Sequence, residues 1–371
     1  MTSAERREGR YQRRRAKREA AKLARTAPYD DFEKVFSFDH LYNAYRKSRL
    51  GVRWKASTQR YIANALLYIQ RTRQSLMDET FQSKGFCEFD LRERGKLRHI
   101  RSVEMQERVV QRCLCDYALI PMLSRSFIYD NGASMRHKGY SFAVKRIRRH
   151  IRGFYRQHGC KGYILLYDFS GYFDSIPHET LEKVLRRHFK DRRLLNLILH
   201  FIHCFGERGI GLGSQVSQVL ALVAANRLDH YVKEVLHIKG YGRYMDDGYL
   251  ISESKEKLKQ CLEEIKRICD ELGLKLNTRK TRIYPLWKDF SWLKIKFRLL
   301  PSGKLLQRVW RMSVIRHRRK LKKFRQKVAS GVFSLSDVEV SHRAWLSHLI
   351  GLKAQRTIRE MNLLYQQLFA T

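Results

Sequence analysis

Three acidic residues in two settings carry the first chemical signal of this 371-residue chain. Asp168 closes the apolar run Tyr163-Ile164-Leu165-Leu166-Tyr167, the pattern of a central strand that delivers a carboxylate to its end. Asp246-Asp247 sit between two short pieces, 241–244 and 249–252, that read as the arms of a hairpin around Met245-Asp246-Asp247-Gly248. Carboxylates are the hard ligands that Mg²⁺ prefers. Phosphoryl transfer from a triphosphate asks for two divalent ions roughly 4 Å apart, bridging the attacking oxygen, the α-phosphate and the leaving pyrophosphate. Taken alone, Asp247-Gly248 is also what an ordinary hairpin turn contains. The two settings lie far apart in sequence, so only a fold that aligns the strand with the hairpin makes one site of them.

The elements that must do this alternate between helix and strand. From Phe38 the periodicity is helical, with Phe38, Leu41, Tyr42 and Tyr45 on one face, and a second helix is expected over 57–77. Strand-like pieces at 85–91 and 97–102 flank Arg94-Gly95, and 104–123 reads as a buried helix. Helices are expected over 180–205, over 214–236 opened by glycines and Ser214, and over 255–272 closed by Gly273. After Pro301 the chain reads as helical and very basic, as in Arg316-His317-Arg318-Arg319-Lys320. The order strand, helix, helix, hairpin, helix, strand predicts an α+β core with helical additions.

Composition narrows the partners. Lys and Arg number 76 against 36 Asp and Glu, a formal net charge of +40 that would repel itself unless a polyanion neutralised it. Nucleic acid and an anionic membrane surface are the usual candidates, but the basic residues are spread along the chain rather than gathered on one amphipathic helix. No apolar run is long enough to span a bilayer, and the basic start lacks the apolar core of a secretory signal. Seven scattered Cys without a CxxC pair predict neither a zinc site nor a disulfide framework. The Arg-rich first 28 residues read either as a solvated tail or as a contact for RNA or a partner.

Tyr244-Met245-Asp246-Asp247 resembles the signature turn of reverse transcriptases, and Asp168-Phe169-Ser170-Gly171-Tyr172-Phe173-Asp174 resembles their first palm motif. Arg92-Glu93-Arg94-Gly95-Lys96-Leu97-Arg98 is similar to the fingers hairpin. The segment from Leu272 to Thr281 is similar to the fourth palm motif, and Phe290-Ser291-Trp292-Leu293-Lys294 to the primer grip. The resemblance implies a right-hand polymerase fold with fingers, an antiparallel-sheet palm and a helical thumb. It divides the chain into a basic N-terminal extension (1–30), fingers with N-terminal helices (31–160), palm (161–300, with a fingers helix insert near 180–212) and basic helical thumb (301–371). Thumb helices are expected over 313–331 and 336–352, with Trp345 as a core anchor. Carried over by position, Asp168, Asp246 and Asp247 are catalytic and hold two Mg²⁺ ions, or Mn²⁺ in their place, with the main chain at Phe169 as a further ligand. Lys96 and Arg98 are implied to hold the β/γ-phosphates, with Arg92 a weaker candidate. Phe173 is implied to gate against a ribose 2′-OH; the bland alternative is a core aromatic. Lys280 is placed either to protonate leaving pyrophosphate or as a surface lysine, and Trp292, Leu293 and Lys294 would hold the primer.

The block Leu212-Gly213-Ser214-Gln215-Val216-Ser217-Gln218 departs from most of the family, which carry Gln where Leu212 stands and Pro where Gln218 stands. An aliphatic residue followed by Gly-x-x-x-Ser-Gln resembles the reverse transcriptases of diversity-generating retroelements, as does the opening segment with Tyr45-Arg46-Lys47. That subgroup implies error-prone copying at template adenines, with Leu212, Gly213, Ser217 and Gln218 beside the template. It implies dNTP substrates, a template RNA with a cDNA or primer strand, a small basic accessory protein, a structured non-coding RNA, and a cytoplasmic, bacterial or phage-encoded setting without a membrane. A retron or anti-phage reverse transcriptase, and an RNA-binding scaffold with a retired palm, are the competing readings.

Overall fold

The computed structural model describes residues 2–93, 96–352 and 354–369, with the side chains of Lys22, Glu93, Lys96 and Ile350 outside that description. Strands β1 (Cys87–Glu93) and β2 (Lys96–Ser102) pair antiparallel, Cys87 opposite Ser102 and Glu93 opposite Lys96. The central sheet comprises β3 (Tyr163–Asp168), β4 (Tyr241–Tyr244), β5 (Asp247–Ser252) and β6 (Arg282–Pro285), antiparallel in the order β4-β5-β3-β6. A second sheet of β7 (Phe290–Trp292), β8 (Ile295–Leu299) and β9 (Leu305–Val309) runs in sequence order.

Strand β3 is apolar without interruption because both faces of its sheet are covered. Leu165 and Tyr167 point into the larger core with Leu250 and Tyr241. Ile164 and Leu166 point the other way, into a second core with Tyr249, Ile251 and Trp292. The Tyr140–His158 helix closes that second core with Val144, Ile147, Ile151 and Phe154, spaced at three and four residues along one stripe. The helices of the larger core include Met105–Leu114 and Gln215–Ala224, the latter apolar nearly all round and accordingly buried. Mixed helix and antiparallel sheet is thus the observed class, as a right-hand polymerase fold requires.

Several elements differ from the sequence expectation. The helix expected over 57–77 is two, Ala56–Ala63 and Ala65–Met77, broken where Asn64 leaves helical geometry (φ −127°, ψ 34°). The helix expected over 180–205 is also two, His178–His188 and Arg192–His203; Asp191 caps the second by accepting from the N–H groups of Arg193 and Leu194. On the Phe38–Ser48 helix, Tyr42 is exposed while Leu41, Ala44 and Tyr45 are buried. The stretch after Pro301 is not helical throughout: β9 joins the second sheet before the helices begin. Those helices are three, Arg311–Ala329, Leu335–Ile350 and Gln355–Phe369, around a small core of Leu321, Val338 and Met361. All seven cysteines are free thiols, and no described helix is long and apolar enough to cross a membrane.

Candidate active site

Pairing of β3 with β5 sets Asp168 directly opposite Asp247. Asp246 occupies the turn between β4 and β5, which is tighter than the four-residue bend expected: Asp247 and Gly248 already belong to β5, and Met245 takes the left-handed conformation (φ 53°). The Phe169 N–H donates to the Asp246 carbonyl (3.2 Å), binding the end of β3 to the turn. From the other side the Asn277 N–H donates to the Asp168 carbonyl (2.7 Å) and the Ser170 N–H to that of Lys275 (2.7 Å). As a result, one carboxylate oxygen from each of Asp168, Asp246 and Asp247 lies within 4.8 Å of the other two.

Charge of one sign gathered this closely raises proton affinity. Burial, then the Asp246 and Asp168 carboxylates, push Asp247 up to about 7. Asp246 is raised as well, by burial and then by Asp168, against the opposing pull of Lys280 and Arg98. The Lys280 ammonium donates to Asp168 Oδ2 at 2.5 Å. Burial alone would lower Lys280, but the Asp168 hydrogen bond and the other two carboxylates raise it on balance. An all-oxygen donor set, half-buried and carrying excess negative charge, fits hard divalent cations.

Buried polar support for the turn escapes the sequence reading. Arg243 and Asp229 form an ion pair with neither side chain exposed, through Nε–Oδ1 (2.8 Å) and Nη2–Oδ2 (2.6 Å) contacts. Arg243 Nη1 donates to the Met245 carbonyl (2.8 Å) and Nη2 to that of Leu222 (3.2 Å), so one guanidinium ties the turn to the Gln215–Ala224 helix. The Tyr241 hydroxyl donates to Asp229 (2.6 Å), which leaves Tyr167, 2.8 Å away, to donate to Tyr241. The Tyr167 ring in turn accounts for Gly248: a Cβ there would fall 2.2 Å from the ring. Glycine after the acids is therefore needed for close packing of β5 against Tyr167 of β3, not for a turn. An Asp and an Arg 14 positions apart give no local signal in the sequence.

The remaining candidates distribute as follows. The Phe169 ring is buried and stacks on Tyr172 (4.7 Å, 14°). Phe173 is half-buried against the larger core, edge-on to Tyr172. Arg98 lies in β2 within electrostatic reach of Asp246, and Arg92 is exposed on β1. The Lys96 side chain, and Arg94 and Gly95, lie outside the described residues. Trp292 is buried edge-on against Tyr249, and Leu293 and Lys294, both at positive φ (46° and 63°), make the two-residue turn from β7 to β8. A cleft of about 420 Å³ brings Trp292 and Leu293 alongside Asp168, Asp247 and Lys280. The Leu212 block touches the β1–β2 hairpin: the Arg101 N–H donates to the Leu212 carbonyl (2.9 Å). Gly213 sits at φ 123° with no room for a Cβ, which would lie 2.5 Å from the Arg101 carbonyl oxygen. Ser214 caps the following helix, Ser217 is buried and donates to the Ile210 carbonyl, and Gln218 is exposed and accepts from Ser134 (3.2 Å).

The family model described as reverse transcriptase (RNA-dependent DNA polymerase) matches residues 71–298, well over half the chain and the whole of the carboxylate site. The chain belongs to the reverse transcriptase family. Protein YkfC of Escherichia coli K12 is 23% identical to this reverse transcriptase over 51% of the chain and 60% of that protein's length. Among solved structures, telomerase from Candida albicans, in complex with the TWJ fragment of telomeric RNA, superposes with a TM-score of 0.50 at 12% identity. That alignment takes in 83% of this reverse transcriptase and 59% of the telomerase chain, and speaks for the fold. The chain thus spans about three fifths of the length of each.

Proposed function

We propose that this protein is an RNA-directed DNA polymerase that copies a structured RNA into cDNA, and that it is of the error-prone, diversity-generating type. The convergence of Asp168, Asp246 and Asp247 within ligand distance of one another supports the polymerase reading most directly. In this reading the three acids hold two Mg²⁺ ions, with the main chain at Phe169 as a further ligand. Bound there, the ions would lower the pKa of the primer 3′-OH and neutralise charge on the phosphates. The 3′-OH loses its proton to solvent and its oxygen attacks the α-phosphorus, the bond from that phosphorus to the oxygen bridging to the β-phosphate breaks, and pyrophosphate leaves. Lys280 delivers a proton to the pyrophosphate, Lys96 and Arg98 hold its phosphates, and Phe173 excludes a 2′-OH. Trp292, Leu293 and Lys294 position the primer end. Extension of a DNA primer on an RNA template with Mg²⁺ tests this: Asp246→Ala abolishes it, and a chain that makes no product overturns the reading.

The diversity-generating reading rests on Leu212. An aliphatic side chain offers the nascent base pair no amide donor or acceptor, so discrimination by hydrogen bonding weakens by about 1–3 kcal/mol for one desolvated contact. Gly213, Ser217 and Gln218 complete the block. A small basic accessory protein and a structured non-coding RNA belong to this reading as partners. Sequencing the cDNA made on co-purified RNA decides it: substitutions gathered at template adenines support it, and errors spread evenly over the four bases overturn it.

A further inference from the structure

The helix Ser3–Thr26 plays no part in the site above. It carries eight Arg and two Lys against three Glu, and every described side chain on it is exposed apart from partial cover at Gly9 and Thr26. It is built to persist without packing. Thr2 and Glu5 form a reciprocal capping box, and Arg15 pairs with Glu19 one turn on (3.2 Å). Its principal neighbour is the 3₁₀ turn Ala27–Tyr29 that follows. The root beyond that turn is fixed: the Asp30 carboxylate accepts from the N–H groups of Lys190 (2.8 Å) and Asp191 (3.1 Å), and Asp191 accepts from that of Phe32 (2.7 Å).

Charge is sorted around this helix. At about 100° per residue, all ten cationic positions fall within an arc of about 200°, from Arg13 through Arg10, Arg14 and Arg18 to Arg15. The remaining arc holds Glu5, Glu8 and Glu19 with Gln12, Ala16 and Ala20, and no Lys or Arg. The helix has no apolar face to insert into lipid, since Tyr11 and Leu23 are its only large apolar residues. A cationic arc wider than half the circumference cannot be satisfied by a flat anionic surface or a single strand, which reach one side only. It matches a groove walled by two phosphate backbones, and Arg is the residue that pairs phosphate with two parallel donors.

We infer that the Ser3–Thr26 helix is a docking arm for the groove of an irregular RNA duplex, outside the catalytic cleft. The helix with its side chains is about 10–12 Å across, and the deep, narrow major groove of regular A-form RNA does not admit it. A bulge or internal loop opens that groove. In a family that copies RNA, folded RNA is the polyanion at hand. The inference does not depend on whether the chain polymerises.

The test uses the full chain without dNTPs, titrated with a bulged RNA hairpin, a perfectly paired RNA duplex, a single-stranded RNA and a B-form DNA duplex. The wild type binds the bulged hairpin at least about tenfold more tightly than the other three. R10Q/R14Q/R18Q weakens that binding about 10–100-fold near 0.15 M salt and flattens its salt dependence by about two to three in log–log slope. R10K/R14K/R18K keeps the slope while losing part of the affinity. Extension on a short unstructured template is unchanged in both. Equal binding of all four probes, or an unchanged hairpin affinity in the Gln variant with its helicity intact, overturns the inference. So does loss of binding to an acidic protein with RNA binding untouched.

Discussion

Arg243 encloses the carboxylate of Asp229 with two charge-assisted hydrogen bonds, and the same guanidinium holds the carbonyl of Met245 at the turn that carries Asp246. Burying two charges is costly unless each finds its partner, and removing one partner costs about 3–5 kcal/mol. Arg243→Met is expected to destabilise the protein by that amount in chemical denaturation. The double variant Arg243→Met/Asp229→Leu is expected to recover much of the stability, because no unpaired charge remains. It should not recover primer extension, because Met245 still lacks its donor. Full activity in the double variant would show that the pair serves stability alone.

The Asp247 carboxylate gives a pH dependence of defined sign. Its ordinary value is 3.8 and the folded protein holds it at about 7. Between those values the folded state binds more protons than the unfolded state, so this group's contribution to stability falls as pH rises from about 4 to 7. Without divalent metal, Asp247→Asn is therefore expected to melt higher than the wild type at pH 8, by about 2–4 °C, and the gap should close only near pH 4, where the unfolded-state carboxyl also takes up its proton. Added Mg²⁺ should raise the wild-type melting temperature and leave the variant little changed. Thermal melts at the two pH values, with and without metal, check both expectations; a constant gap across pH would remove the repulsion argument.

Leu212→Gln introduces an amide at the position proposed to lie beside the template. Misincorporation opposite template adenine is expected to fall about tenfold, corresponding to about 1.4 kcal/mol, with extension of matched primers little altered. Deep sequencing of products made on one RNA template measures it, and an identical error spectrum would discard the role given to Leu212.

Gly213→Ala sets a methyl group against the Arg101 carbonyl at a backbone angle that L-residues rarely adopt. A cost of about 1–3 kcal/mol is expected, localised where β2 meets the Leu212 block. The kinetic signature is a raised KM for dNTP. Hydrogen exchange should show faster opening of the Arg101 amide; exchange indistinguishable from wild type would contradict the local account.

In the three-helix bundle His317 Nε2 lies 2.9 Å from His342 Nδ1, and His342 Nε2 lies 3.0 Å from Asn362 Oδ1. With both rings neutral, His342 donates to Asn362 and accepts from His317. Burial, then His342 and Lys320, push His317 down to about 4. The unfolded chain takes up that proton near 6.5, so the bundle loses stability as pH falls from about 6.5 towards 4. Amide exchange in Arg311–Ala329 and Gln355–Phe369 is expected to speed up on acidification before exchange in β3 does. His317→Phe, which keeps the stack on Trp345, should remove most of that acid sensitivity.

Legibility of this fold in its sequence follows the range of the interactions involved. Strand β3 is readable because five consecutive apolar residues before Asp168, too few for a buried helix, fit a strand covered on both faces. The acids at 246 and 247 are readable because hairpin arms flank them. The break at Asn64 is hidden, since no Gly or Pro marks it. The break before Arg192 is not: Asp191 is an N-cap residue with its acceptor role written in its type. Strand β9 is masked by the basic residues around it, and β8 supplies the pairing that holds it extended. Gly248 reads as a turn former because what it makes room for, Tyr167, comes from a strand about 80 residues earlier.

The pairing of Asp168 with Asp247 has a consequence for how this chain tolerates change in length. Side chains alternate across a strand, so dropping or adding one residue within β3 or β5 would leave one acid on the cleft side and send the other into the hydrocarbon beneath. Surface connections such as the β8–β9 turn can lengthen without touching that relation. Variation in length is therefore expected at the loops, with the count of residues inside β3 and β5 held constant.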